Sequence, residues 1–543
     1  MKKRKPVIVF LVLILIPVLC FSGYRYIAND RNSLEKEGKN AADSGTKSPA
    51  QATDRLEISV ALWKLQDVLT DTGKDQFYRH LSDKFNLTIR SVPITWDDYM
   101  EKIQIWAASN QLPDIFSADA IGTRNYWNWI NRELLKALPD DLSTYPRLSE
   151  YLELHEARSM KYREKLYCIP RGLYDSLRYC AHDRNVFYRW DLAEKVGIRE
   201  EPETWEEFRY MLREIVSKDP ENTGIAGLTT VNIKHIGGFL WMYSNPAATS
   251  DGSGNDYKWI KEDGRYIPAV FSKNALPSLV NARNMYREGL IDKDITMIKG
   301  SQAYEKFAAG KAAAVLMVGY GNLDTMINSL WKNNYPGKNL MDCVKRANYF
   351  PSIDGIRYQS TFKTYWSESY FSAQVDENKM DRILSLYEYM LTPEAKKFYR
   401  FGAENADYTE EGDEITPLTK PEALDTKQRS ASVLGSLVEF DNKFQYDKNN
   451  YKMDPEIKKA AVENLERAIR TTRIPDYEPE LTCLSTPAKD MFSIFDYEDL
   501  VRVMLGTEPV EKMWREILED YEEKGLSKMI SEVNRKAEEM ELE

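Results

Sequence analysis

The residues that do chemistry in enzymes are sparse in this chain. Four histidines, His80, His155, His182 and His235, are its only imidazoles, and none is spaced for a metal or beside a plausible nucleophile. No H-E-x-x-H, G-x-S-x-G, Walker loop or strand-linked G-x-G-x-x-G is present. The stretch DGSGND at 251–256 hints at a calcium loop but lacks the glutamate such a loop uses at its twelfth position, so a plain turn is favoured. No catalytic residue, metal or cofactor is therefore expected. A carboxylate pair for glycoside hydrolysis, assembled from distant segments, stays open as a minor alternative. Rings are what the chain has in excess: 12 Trp and 33 Tyr. Amphipathic rings suit a surface that is apolar on one side and wet on the other, as a saccharide or peptide site is. A large core with tyrosines at its rim competes for the same signal.

The elements that must position these rings alternate. LEISVALW (56–63) predicts a first strand by its period of two, Gly73–Phe85 a helix through Phe77, Leu81 and Phe85, and LTIRSVPI (87–94) a second strand. Asp97–Ala108 follows as a helix. QLPDIFSADA (111–120) then reads as an apolar run, Leu112–Phe116, that stops in Ser117, Ala118, Asp119 and Ala120. A strand ending in small polar residues is what the carboxyl edge of an open α/β sheet presents to a ligand. LYCIP (166–170) is a further strand, and SLRYCAHD (176–183) is expected to continue extended. Thr204 and Glu207 form a capping box for a helix whose buried face is Phe208, Met211, Leu212 and Ile215. SQAYEKFAAGKAAAVLMVGYGNL (301–323) predicts a short helix stopped by Gly310, then a strand, Ala312–Val318, running into Gly319, Tyr320 and Gly321. From about Asp454 the chain is helical. The fold class is thus α/β with a helical carboxyl-terminal region.

With 543 residues, 43% of them hydrophobic, the chain can fill at least two cores. A net charge of −11 excludes nucleic acid as a partner, since a phosphate backbone needs a concentrated basic surface. Residues 1–23, with four basic residues before an apolar stretch, have the layout of a signal peptide or membrane anchor, and 24–53 that of a flexible linker. The body is then expected at the extracellular face of the cytoplasmic membrane. Cys20 closes the apolar stretch and is a possible lipidation site, although Leu19 before it is larger than lipid-attachment signals prefer. An uncleaved anchor or ordinary cleavage near Ser22 or Gly23 are the alternatives. Cys168 and Cys180 could form a bridge outside the cell, but scattered buried thiols, with Cys343 and Cys483, are the favoured reading.

Several segments, taken in order, resemble the family 1 bacterial extracellular solute-binding proteins, in particular the large lipoprotein branch serving carbohydrate ABC importers. They are IWAASNQLPDIFSAD, YCIPRGLYDSLRYCAHDRNVFYRWDLAEKVGIREEPETWEEF, FAAGKAAAVLMVGYGN, LTPEAKKFYRFGAENADY and LGTEPVEKMWREILEDYEEKGLSKMI. DRNVFYRWDLAEK departs from the family's compact Arg-x-Asp-Trp spacing, so no ligand role passes to Arg184 or Asp191. The resemblance implies a two-lobed periplasmic-binding-protein-like fold (type II) joined by crossover strands. Lobe 1 would hold 54–172 and 364–425, and lobe 2 would hold 173–363 and 426–543. It also implies a monomer that captures a small solute, an oligosaccharide before a peptide, sugar acid or lipid-derived solute, and presents it to ABC permease subunits. A tethered sensor or scaffold would share the same cleft. The residues just past strand ends on the cleft side are the candidates: Trp63, Asp119 (with Ser117), Trp127, Arg171, Tyr174, Trp241, Tyr320 and Trp366. For each ring, core packing competes with a ligand role.

Overall fold

The computed structural model describes residues 54–543, except 155–156, 183, 250–256, 299, 361–362, 441 and 543. The chain divides into Met1–Thr53 and Asp54–Glu543, and the described residues lie in the second unit. The expectations for residues 1–23, for the linker 24–53, for Cys20, for His155 and for the DGSGND turn fall outside the described residues.

The strands, in chain order, are β1 (Leu56–Ala61), β2 (Leu87–Ser91), β3 (Ile115–Ala118), β4 (Cys168–Gly172), β5 (Asn185–Arg189), β6 (Ala226–Thr230), β7 (Trp259–Glu262), β8 (Arg265–Pro268), β9 (Ala312–Met317), β10 (Val344–Arg346), β11 (Tyr365–Phe371), β12 (Tyr408–Glu411) and β13 (Glu414–Pro417). Two sheets organise them. The first runs β2-β1-β3-β11-β4 and the second β10-β5-β9-β6, with hairpins β7-β8 and β12-β13 beside them. In the first sheet β1 is parallel to β2 and β3, while β11 is antiparallel to both β3 and β4. Ser59, Val60 and Ala61 of β1 are all buried, so helices cover both faces.

Local chemistry explains the register. Asp114, just before β3, accepts hydrogen bonds from Ser59 N and Oγ, both at 2.8 Å, and pairs with Lys379 Nζ at 3.0 Å. The Pro-Asp step thereby ties the start of β3 to β1 across the sheet. This shifts the strand from the expected 112–116 to Ile115–Ala118 and buries Ser117 fully between β1 and β11. Ser117 is thus part of the sheet and is withdrawn from the solute-contacting candidates. The expected extended stretch 176–183 is instead a 3-10 turn, Leu177–His182, where Tyr179 N donates to Ser176 O. The capping box is present: Thr204 Oγ1 accepts from Glu207 N, and Glu207 Oε2 accepts from Thr204 N at 3.0 Å. Gly310, at φ 71°, ends the helix Gln302–Ala308 before β9.

One core surrounds the first sheet; two clusters flank the second. In chain order the strands of the first sheet run to Gly172, those of the second lie between Asn185 and Arg346, and β11 returns to the first sheet at Tyr365. The expected assignment of all of 426–543 to the second lobe is corrected at two places. Ala431, Leu434, Leu437 and Val438 pack into the first core, tied there by Ser430, whose N and Oγ donate to Asp75. Cys483 also lies in the first core, while its near neighbour Leu481 lies in the second. Cys168, Cys180, Cys343 and Cys483 are buried and not bridged to one another.

Candidate functional site

Three of the eight candidates come together at the carboxyl edge of the first sheet. Trp63 follows β1 by two residues, Trp366 lies on β11, and Arg171 lies on β4. Trp96, in the loop after β2, stacks on Trp63 with ring centroids 4.6 Å apart and planes 10° from parallel. Trp366 leans on both, at 5.0 Å from Trp63 and 5.2 Å from Trp96, and Tyr99 meets the edge of Trp63 at 5.0 Å. Phe440 closes the group against Trp366 at 5.6 Å. Trp63 is 5% exposed, whereas Trp96 is 53% exposed. A half-open indole on a buried one is a flat apolar face offered to solvent. The buried Trp63 Nε1 has no hydrogen-bond acceptor among the described residues.

Arg171 lies under these rings, fully buried. Its guanidinium is 4.6 Å from the Phe440 centroid, 5.2 Å from Trp63 and 5.7 Å from Trp366. Nε donates to Ser436 O at 2.6 Å, Nη1 to Ser367 Oγ at 2.8 Å and Nη2 to Ser436 Oγ at 3.1 Å. No carboxylate pairs with it among the described residues, and burial pushes its pKa down to about 9. Arg171 therefore serves as a fixed floor for the rings.

Asp119 flanks the rings. It is the first residue after β3, whose Ala118 faces Glu368 of β11. Its Oδ1 is 3.2 Å from Lys363 Nζ, and that ammonium also lies 4.8 Å over the Tyr365 ring. Both partners of the pair keep a little solvent exposure, 12% and 14%. Beneath them Glu368 is fully buried, and burial raises its carboxyl pKa, with Lys363 acting to lower it. The arrangement can stack a ring-shaped solute and hydrogen-bond its hydroxyls. Among the described residues no His, Cys, Asp and Glu cluster could hold a metal ion.

The other four candidates lie elsewhere and are corrected. Trp127 is a core residue of the helix Arg124–Asn131, 4.7 Å from Tyr126 and 5.1 Å from Tyr162. Tyr174 is buried beside Cys180 in the first crossover, its N donating to Thr364 O. Trp241 is fully enclosed in the second core. Tyr320 is buried edge-on to Phe187, its hydroxyl accepting from Asn464 Nδ2 at 2.7 Å. Trp96, Tyr99, Lys363, Glu368 and Phe440 escaped the sequence reading. Trp96 follows β2 as Trp63 follows β1, so the rule that selected one selects the other. A lone Glu inside the apolar YWSESYF was a second legible signal; Phe440 carried none.

A family model described as bacterial extracellular solute-binding protein matches residues 70–339. The chain belongs to this family. A relative, Lipoprotein LipO of Bacillus subtilis (strain 168), is 23% identical over 351 residues, 61% of this chain and 64% of the relative, so the match spans just under two thirds of that protein. Among solved structures, alginate-binding protein AlgQ2 aligns with a TM-score of 0.66 at 14% identity, covering 89% of this chain and 98% of its own. The substrate-binding protein FusA of S. pneumoniae, in complex with kestose, gives 0.64 at 14% identity, with 90% and 99% covered. An extracellular solute-binding protein from Bifidobacterium longum subsp. infantis gives 0.62 at 13%, with 90% and 98% covered. At such identities the likeness is one of fold: two α/β lobes, as in other solute-binding proteins.

Proposed function

We propose that this solute-binding protein captures an oligosaccharide between its lobes at the outer face of the membrane, held there by its amino-terminal segment, and hands it as a monomer to an ABC importer. The observation that carries the reading is the stacked pair Trp63 and Trp96 with Trp366, flanked by the Asp119–Lys363 pair. Sugar faces bind by stacking on rings while charged groups read hydroxyl geometry. The sugar-binding relatives support the class of solute, and the family supports binding without turnover. The test is a thermal-shift screen of residues 54–543 against glycans, peptides and amino acids, followed by product analysis. A glycan that raises the melting temperature and is recovered intact is the expected result. A cleaved product would overturn capture in favour of hydrolysis, and a peptide as the only hit would overturn the solute class.

A further inference from the structure

Glu368 is the costliest side chain in the candidate site. It is fully buried on β11, and its Oε1 has no partner among the described residues. A buried charge is expensive unless hydrogen bonds and counter-charges repay it. Its Oε2 takes everything available: Ala120 N at 3.0 Å, Ile121 N at 3.4 Å and the Tyr370 hydroxyl at 2.8 Å. The two amides belong to the turn that leaves β3 directly after Asp119. Thr123 closes the same turn from the other side, its N and Oγ1 donating to Ala120 O at 3.0 and 2.7 Å. Thr123 also caps the helix Arg124–Asn131. The turn carrying Asp119 is therefore wired at one end to a helix cap and at the other to a single carboxylate.

We propose that Glu368 is a positioning residue of the solute site: its ionised carboxylate pins the Asp119–Ile121 turn beside Trp366, and protonation of that carboxylate unpins it. This rests on the reading of the ring cluster as the solute site. The charged and titratable groups facing Glu368 are few. Lys363 comes from the segment before β11, Tyr370 from β11 itself, Tyr126 from the helix Arg124–Asn131, and Cys168 and Arg171 from β4; Asp119 acts through Lys363. Burial raises Tyr126, Tyr370 and Cys168, so they stay neutral at neutral pH. Arg171 is committed to Ser367 and Ser436, and Ser367 alternates to the face of β11 opposite Glu368. Lys363 is shared with Asp119. The carboxylate thus leans chiefly on the two turn amides and one phenol. A hydrogen bond to an ionised acceptor is about twice as strong as one to a neutral acceptor, so gaining a proton weakens all three together. The raised proton affinity places that event at a higher pH than for an exposed glutamate.

The test needs no solute. Hydrogen exchange of the Ala120 and Ile121 amides, expressed as protection relative to the unstructured chain, is followed from pH 8 to pH 4.5 in residues 54–543. In the wild type, protection falls about tenfold or more as the carboxyl protonates. Glu368→Gln keeps the shape and an acceptor but cannot titrate, and its protection is independent of pH. Tyr370→Phe keeps the carboxylate and removes a donor to its charged form, so its midpoint moves to higher pH. A flat wild-type profile, or a Glu368→Gln profile that follows the wild type, overturns the proposal, and the Tyr370→Phe profile decides if the glutamine variant does not fold. Failure of every glycan to bind would sink oligosaccharide capture and leave this profile standing.

Discussion

Trp96 and Trp63 share one stack but differ in what their loss would do. Trp96 is half exposed, so Trp96→Ala removes little from the core. It is expected to weaken glycan binding by about 1 kcal/mol, roughly five- to tenfold, with little change in melting temperature. Calorimetric titration with the glycan identified by the screen, paired with a thermal scan, checks both halves. Arg171 is the opposite case. Arg171→Lys cannot reproduce a planar guanidinium that donates in three directions under three rings. It is expected to cost about 2–3 kcal/mol of folding stability, read as a lower denaturant midpoint. Tryptophan emission should shift as well, since Trp63 and Trp366 lose their floor.

At the level of elements, caps and loops make the sharper statements. Thr204→Ala removes the hydroxyl half of the capping box on the helix Trp205–Lys218, and a loss of about 1 kcal/mol in chemical denaturation is expected. Asp407 anchors the 402–427 segment. Burial alone would raise its pKa, but Lys427 Nζ, Ala403 N, Gln76 Nε2 and Thr419 Oγ1 donate to it and bring it down to about 2. Because the folded value lies below the ordinary carboxylate value, its contribution is present above about pH 4 and is lost as pH falls toward 2. Asp407→Asn is therefore expected to be less stable than the wild type at pH 6 and to converge with it near pH 2, in denaturant melts at each pH. The same elements show what was legible beforehand. Periodicity and capping chemistry are local, so β1, the helix Trp205–Lys218 and the Gly310 stop could be read directly. The start of β3 could not, because it is set by an aspartate reaching across the sheet to Ser59. The extended reading of 176–183 failed because the chain coils there into a 3-10 turn, with Tyr179 N donating to Ser176 O.

The candidate site was half legible for a related reason. Strand ends can be found along a chain, and Trp63, Arg171, Asp119 and Trp366 all lie near them. Whether a ring past a strand end faces a cleft or a core depends on the second layer of helices, and Trp127, Trp241 and Tyr320 turned inward there. For the molecule as a whole, a captured glycan should bridge the lobes. Small-angle scattering of residues 54–543 is then expected to show a smaller radius of gyration at saturating glycan, as hinge closure predicts. An unchanged radius with proven binding would place the solute on one lobe only.

The interleaving of the two lobes also governs how the chain can acquire its structure. The first core begins with Ile58 and is complete only with Leu434, Leu437, Val438 and Cys483. A polypeptide lengthening from its amino end therefore cannot close its first lobe until most of the second has been made. Contacts this remote along the chain make folding slow, because loop closure precedes the burial that rewards it. Strand β11, the partner of β3, arrives more than three hundred residues after β1, so until then the edge of β3 lies open to pairing with other chains. Refolding from denaturant should accordingly be slow and prone to aggregation at high concentration, and a fragment ending near residue 363 should fail to form either lobe cleanly.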